Sequence, residues 1–207
     1  MACRILFYGD SNTWGYMPGG ERYPAHSRFP VIAAKALANG VAIEEGLNGR
    51  NCCFSHPLAD PELLGGATFA EICQRALPLN ALCLMLGTND CMPPLYRSPS
   101  DIAHDQQRII RQAKAFVPTI LLLSPVPISQ QWMQEFEEEM GALRAVRLQP
   151  LNTALEEVAK EEGVAFFDTQ TLVPEADAGD GLHLSAQAHT ILGTTIGALL
   201  ATIIQPS

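Results

Sequence analysis

Five short apolar runs, at residues 4–8, 41–45, 81–86, 119–124 and 164–168, recur along the chain with longer amphipathic stretches between them. Strand-length segments that alternate with helical ones must be joined by crossovers, so the pattern predicts a parallel sheet covered by helices. The helical stretches fall at 29–38, 63–77, 99–116, 135–162 and 185–204. Ser98 before Pro99 reads as an N-cap with proline in the first turn, and Ser185 caps the last helix. That helix carries Ala188, Ile191, Leu192, Ile196, Leu199, Leu200 and Ile203 at helical spacing, which predicts packing onto the sheet. Pro150 interrupts the fourth helix and predicts a kink or break near Gln149. The irregular stretches 15–27, 52–62, 91–98 and 125–134 should gather at the carboxyl edge of the sheet, where open α/β folds bind ligands.

With 207 residues, 47% of them hydrophobic, the chain suits one domain spanning 1–207, with enough apolar side chain for a single substantial core. Cys3, Cys52, Cys53, Cys73, Cys83 and Cys91 follow neither a zinc pattern nor a disulfide scaffold, which predicts free thiols in the cytoplasm. A net charge of −9 opposes binding to nucleic acid, which needs clustered Lys and Arg. The first residues offer too short an apolar stretch for a secretory h-region. The later apolar stretches, 120–123 and 192–204, fall short of the roughly 20 residues of a membrane helix. The expectation is a soluble protein with no membrane partner.

The chemistry-bearing residues are spread over four blocks: Gly9-Asp10-Ser11-Asn12, Asn48-Gly49-Arg50, Gly87-Thr88-Asn89-Asp90 and Asp180-Gly181-Leu182-His183. Ser11 follows an apolar strand at a sharp turn, a mounting suited to a nucleophile. A serine hydroxyl is a weak nucleophile and needs a general base held by a third group. His183 is the best base among five histidines, because Asp180 lies three residues earlier in a Gly-containing loop and can orient its ring. His26, His56 and His104 have no acid at similar spacing and read as surface or loop residues, and His189 as a packing or solvent-facing one. Acyl transfer also needs donors aimed at the developing oxyanion. The Ser11 and Gly49 amides and the Asn89 side chain can supply them, although Asn48-Gly49 and Asn89-Asp90 also suit ordinary turns. Asp10 and Asp90 read as acceptors that tie their loops. Trp14, Phe54 and Trp132 are candidates to line the substrate pocket, with Tyr16 and Phe136 as further aromatic walls. The sequence holds no G-x-S-x-G, P-loop, G-x-G-x-x-G or H-E-x-x-H, and no ligand cluster for a metal.

In order and spacing the four blocks resemble those of the SGNH hydrolase (GDSL-type lipase and esterase) superfamily. Glu44-Glu45-Gly46-Leu47 and Met85-Leu86-Gly87-Thr88-Asn89-Asp90 are similar to its bacterial arylesterase and acyltransferase branch. The resemblance implies a flavodoxin-like three-layer α/β/α sandwich with a five-stranded parallel sheet of order 2-1-3-4-5. It also implies Ser11, Asp180 and His183 as triad, and Ser11, Gly49 and Asn89 as oxyanion donors. The chain departs from many members at Asn12, where they carry Leu, and Asn12 should help line the mouth of the substrate pocket. The function expected is a cytoplasmic serine esterase for short-chain, including aryl, esters, with acyl transfer to alcohols. It would need no cofactor, take a small-molecule ester as its partner, and form a homo-oligomer like that branch. A carbohydrate acetylesterase, or a thioesterase and lysophospholipase, are the alternatives open to the same triad.

Overall fold

The computed structural model describes residues 2–129 and 142–204, so Trp132 and Phe136 lie outside the described residues. Five parallel strands form one sheet: β1 (Cys3–Gly9), β4 (Gly40–Gly46), β5 (Ala81–Met85), β6 (Thr119–Leu123) and β7 (Ala165–Phe167). Their spatial order is β4-β1-β5-β6-β7, which in chain order is 2-1-3-4-5, as expected. Side chains alternate across the pleat. Leu6, Tyr8, Leu82, Leu84 and Leu122 therefore enter a core shared with α3 (Gly65–Ala76), α4 (Pro99–Ala113) and α5 (Ala142–Glu162). Ile5, Phe7, Cys83, Met85 and Leu121 enter the opposite core, with α2 (Phe29–Lys35) and α6 (Ala186–Ile203). Burial on both faces explains why these strands read as continuous apolar runs.

The helix signals act as their chemistry requires. Ser98 Oγ accepts from Asp101 N at 3.2 Å and Ser185 Oγ from Ala188 N at 3.1 Å. By length and composition α6 is apolar enough to cross a membrane. Here Ala188, Leu192, Ile196 and Leu200 are buried in the core beneath it.

Two expectations need correction. The helix containing Pro150 runs from Ala142 to Glu162 without the break allowed for near Gln149, and the expected start at 135 falls outside the described residues. An interior proline costs about 3 kcal/mol, whereas Leu151 and Leu155, both fully buried just after it, contribute roughly 1.5–3 kcal/mol each. Packing therefore outweighs the local defect. The stretch 15–27, read as irregular, contains a short antiparallel hairpin, β2 (Tyr16–Met17) with β3 (Glu21–Arg22), and a 3₁₀ turn at Ala25–Ser27. Two-residue strands are too short to show a period in sequence.

His189 of α6 is fully buried, and its Nδ1 accepts from Phe29 N at 3.3 Å. Burial, followed by the opposing effects of Asp177 and Arg28, lowers its pKa to about 4. Protonation below pH 6.5 thus occurs first in the unfolded chain. The contribution of neutral His189 to stability is complete above pH 6.5 and is lost as pH falls toward about 4, by about 1.4 kcal/mol per pH unit. Thermal melts across this range should show wild type losing stability relative to His189→Gln. A constant difference between the two proteins would contradict this assignment.

Candidate active site

Strand register brings the four blocks together. Gly9 pairs with Gly46 on one side and with Met85 on the other, so three strands end side by side. The chain continues from these ends into Ser11, Gly49 and Asn89. Ser11 opens a single helical turn, α1 (Ser11–Trp14), whose N-cap Asp10 accepts from Asn12 N at 3.0 Å. A Cβ on Gly46 would collide with the Trp14 backbone, so this glycine lets α1 sit against β4.

Across the edge, the loop before α6 carries the histidine. His183 Nε2 lies 2.9 Å from Ser11 Oγ, and His183 Nδ1 lies 2.7 Å from Asp180 Oδ2. Asp180 Oδ1 accepts from the amides of Leu182 and His183, both at 3.0 Å. Burial opposes the Asp180 charge, but the bonds from the His183 ring and these amides outweigh it and lower its pKa. An ionised Asp180 holds the Nδ1–H tautomer, which leaves Nε2 as the acceptor facing Ser11. Tyr16 from the hairpin covers His183, with ring centroids 4.3 Å apart.

Asn12 ties the two sides. Its Oδ1 accepts from Leu184 N at 3.0 Å and its Nδ2 donates to Leu182 O at 3.3 Å. Asn12 lies in the wall of the site, and its amide is committed to the histidine loop. On the remaining side, Asn89 Nδ2 donates to Arg50 O at 3.0 Å, which fixes the amide plane at the site's rim. Gly49 holds φ at +81°, a conformation glycine adopts without strain.

A cavity of about 210 Å³ opens onto Ser11 and His183, with Gly49, Asn89 and Asn12 in its wall. Tyr16, Met92 and Leu182 supply apolar surface, and Asn48 and Thr88 polar surface. Trp14 and Phe54, expected in the pocket, are not among its lining residues. Trp14 instead lies under the Arg22 guanidinium, and Phe54 under that of Arg108, 3.6 Å from the ring centroid, where it packs on the core. Met92 and Leu182 carried no signal in the sequence, because apolar loop residues look alike until the loops are placed.

The two acids beside the site are structural acceptors. Asp10 is 2% exposed. Burial pushes its carboxyl up to about 6, against the Asn12 amide and the nearby His183 charge. Asp90, fully buried, accepts from Cys52 N with both oxygens and from Arg97 Nη1 at 2.9 Å, and Arg97 also reaches Asp105 at 2.6 Å. Burial, then the Asp90 charge, raises the Cys52 thiol well above its ordinary range, which keeps it protonated and unreactive.

With this geometry, the chain matches the GDSL-like Lipase/Acylhydrolase family over residues 7–191. It belongs to that family and is an ester hydrolase. The fold is similar to an aryl esterase from M. smegmatis, at 28% identity and TM-score 0.87 over 98% of this chain and 100% of that one. It is equally close to a carbohydrate acetylesterase from Sinorhizobium meliloti, at 28% identity and TM-score 0.86 over 97% and 99%. A structure described as a putative arylesterase from Agrobacterium tumefaciens follows at 25% identity and TM-score 0.83 over 97% and 99%. Among curated proteins no sequence matches.

Replacing Asn12 by Ala leaves the buried Leu184 amide without its acceptor, at a cost of about 1–3 kcal/mol. It also frees the loop that aims His183. Asn12→Ala should melt at lower temperature and lose more in kcat than it gains in KM. A variant with wild-type kcat would show that the tie is irrelevant to the site.

Proposed function

We propose that this ester hydrolase acts through an acyl-enzyme on Ser11 and prefers short acyl groups. The observation that carries the reading is the continuous Asp180–His183–Ser11 relay, 2.7 and 2.9 Å, at the mouth of a cavity. Ser11 Oγ attacks the ester carbonyl carbon while His183 Nε2 takes its proton, and Asp180 stabilises the imidazolium. The negative oxygen of the tetrahedral adduct receives the Ser11 and Gly49 amides and the Asn89 side chain, which stabilise it as its charge develops. The adduct collapses, His183 gives its proton to the departing alkoxide, and alcohol leaves. Water then repeats the attack on the acyl carbon with His183 as base, which releases the acid and restores Ser11.

A cavity of about 210 Å³ supports acetyl and similarly small acyl groups. The apolar faces of Tyr16 and Met92 support an aryl or alkyl alcohol portion, and an alcohol competing with water for the acyl-enzyme gives transfer. A carbohydrate acetyl ester is the second reading. It is favoured by the exposed Asn48 amide at the cavity wall and by the likeness to the S. meliloti enzyme. The free thiols of Cys3, Cys52, Cys53, Cys73, Cys83 and Cys91 support a reducing compartment such as the cytoplasm.

Rates on p-nitrophenyl esters of increasing chain length, run beside acetylated sugars, test the reading. The acetate should lead, and long-chain esters leading would overturn it. Asn89→Ala should lower kcat by roughly 10²-fold or more, and an unchanged kcat would remove Asn89 from the site. A chelator should leave activity intact. Loss on chelation that is restored by zinc would demand a different mechanism.

A further inference from the structure

Arg50 is 4% exposed, although an arginine ordinarily keeps its charged end in water. Its guanidinium carbon lies over the Tyr8 ring, 4.2 Å from the centroid. Nη1 donates to Gly9 O at 3.0 Å and to Glu45 O, while Nε is buried without a partner. The partners of this cation are thus backbone carbonyls. A residue placed here only for stability would be apolar, because burying a charge with incomplete pairing is unfavourable. The carbonyls it holds are not arbitrary. Gly9 is the last residue of β1, two before Ser11, and Glu45 lies at the end of β4, four before Gly49. The Arg50 carbonyl in turn accepts from Asn89 Nδ2 at 3.0 Å. One residue therefore touches the chain that delivers each of the three donors, and it follows Gly49 directly.

We infer that Arg50 is a positioning residue that fixes the spacing of the Ser11, Gly49 and Asn89 donors, acting on the transition state through the backbone rather than by touching substrate. Nη1 donates to both carbonyls while the guanidinium carbon sits over an aromatic face; the ammonium of lysine has no planar group to fix that orientation. A small error in donor placement weakens the oxyanion interaction, which grows as charge develops, and leaves substrate binding nearly unaltered.

This inference rests on the reading of the Ser11 cavity as the ester site. The test measures kcat and KM for p-nitrophenyl acetate in wild type, Arg50→Lys and Arg50→Gln. It then repeats both substitutions in the Asn89→Ala background, with Ser11→Ala as control. Each Arg50 variant should lose roughly ten- to a hundredfold in kcat with KM within about twofold. In the Asn89→Ala background the further loss should be under about threefold, because the two residues act on one interaction. Retained kcat, a KM that rises in step with the fall in kcat, or an equal loss in both backgrounds would overturn the assignment. Failure of both variants to fold would also overturn it, since Arg50 would then be a stabilising residue. Full activity in Ser11→Ala would instead refute the ester-site reading, and this inference with it.

Discussion

The site depends on the register of three parallel strands. Gly9 is the register partner of Gly46 on one side and of Met85 on the other, so the loops that leave β4 and β5 start one strand spacing, about 5 Å, to either side of the one that leads to Ser11. A slip of one residue in β5 would send Leu82 and Leu84 into the opposite core and put Cys83 and Met85 in their place, underfilling one core and crowding the other. The hydrophobic effect thereby enforces a register whose chemical consequence lies beyond the core, at the sheet's edge. Ser11 and His183 stand 172 residues apart in sequence, yet each is only a few residues from an element locked by burial.

Polar contacts make the final adjustment. Asp10 caps α1, Asn12 spans to the histidine loop, and the Asp90–Arg97–Asp105 chain holds the loop of Asn89 against that of Cys52. Buried ionic contacts contribute little net stability compared with apolar packing. What they supply is direction: each has one geometry in which its groups are satisfied. Removing a single member leaves a buried polar group unpaired, so the loops of this site have few alternative arrangements. Pre-organisation of this kind lets donors meet charge as it develops, without reorganising first.

Much of this was legible in the sequence because the signals were local or repeated. The five sheet strands, the caps at Ser98 and Ser185, and the candidates Ser11, Asp180 and His183 each sit in a short, chemically distinctive run. Their mutual placement followed from the resemblance of four blocks to a known family. What stayed hidden depended on contacts between distant segments. Nothing near Arg50 signals that its side chain would fold back beneath Gly9, and nothing near Trp14 or Phe54 signals that arginines would cover their rings. The unbroken helix through Pro150 belongs to the same class, since burial of Leu151 and Leu155 decided it. Tyr16 was visible as an aromatic near the site, but its contact with the His183 ring required the hairpin, which is too short to read.

The central claim is that Ser11 Oγ is the atom to which the acyl group is transferred. The most direct measurement is to acid-quench the enzyme during turnover of a slowly deacylating ester and map the adduct by mass spectrometry of its peptides. The account requires one acyl group per chain, on the peptide containing Ser11. Acyl label on a cysteine or any other residue, with Ser11 unmodified during turnover, would contradict it.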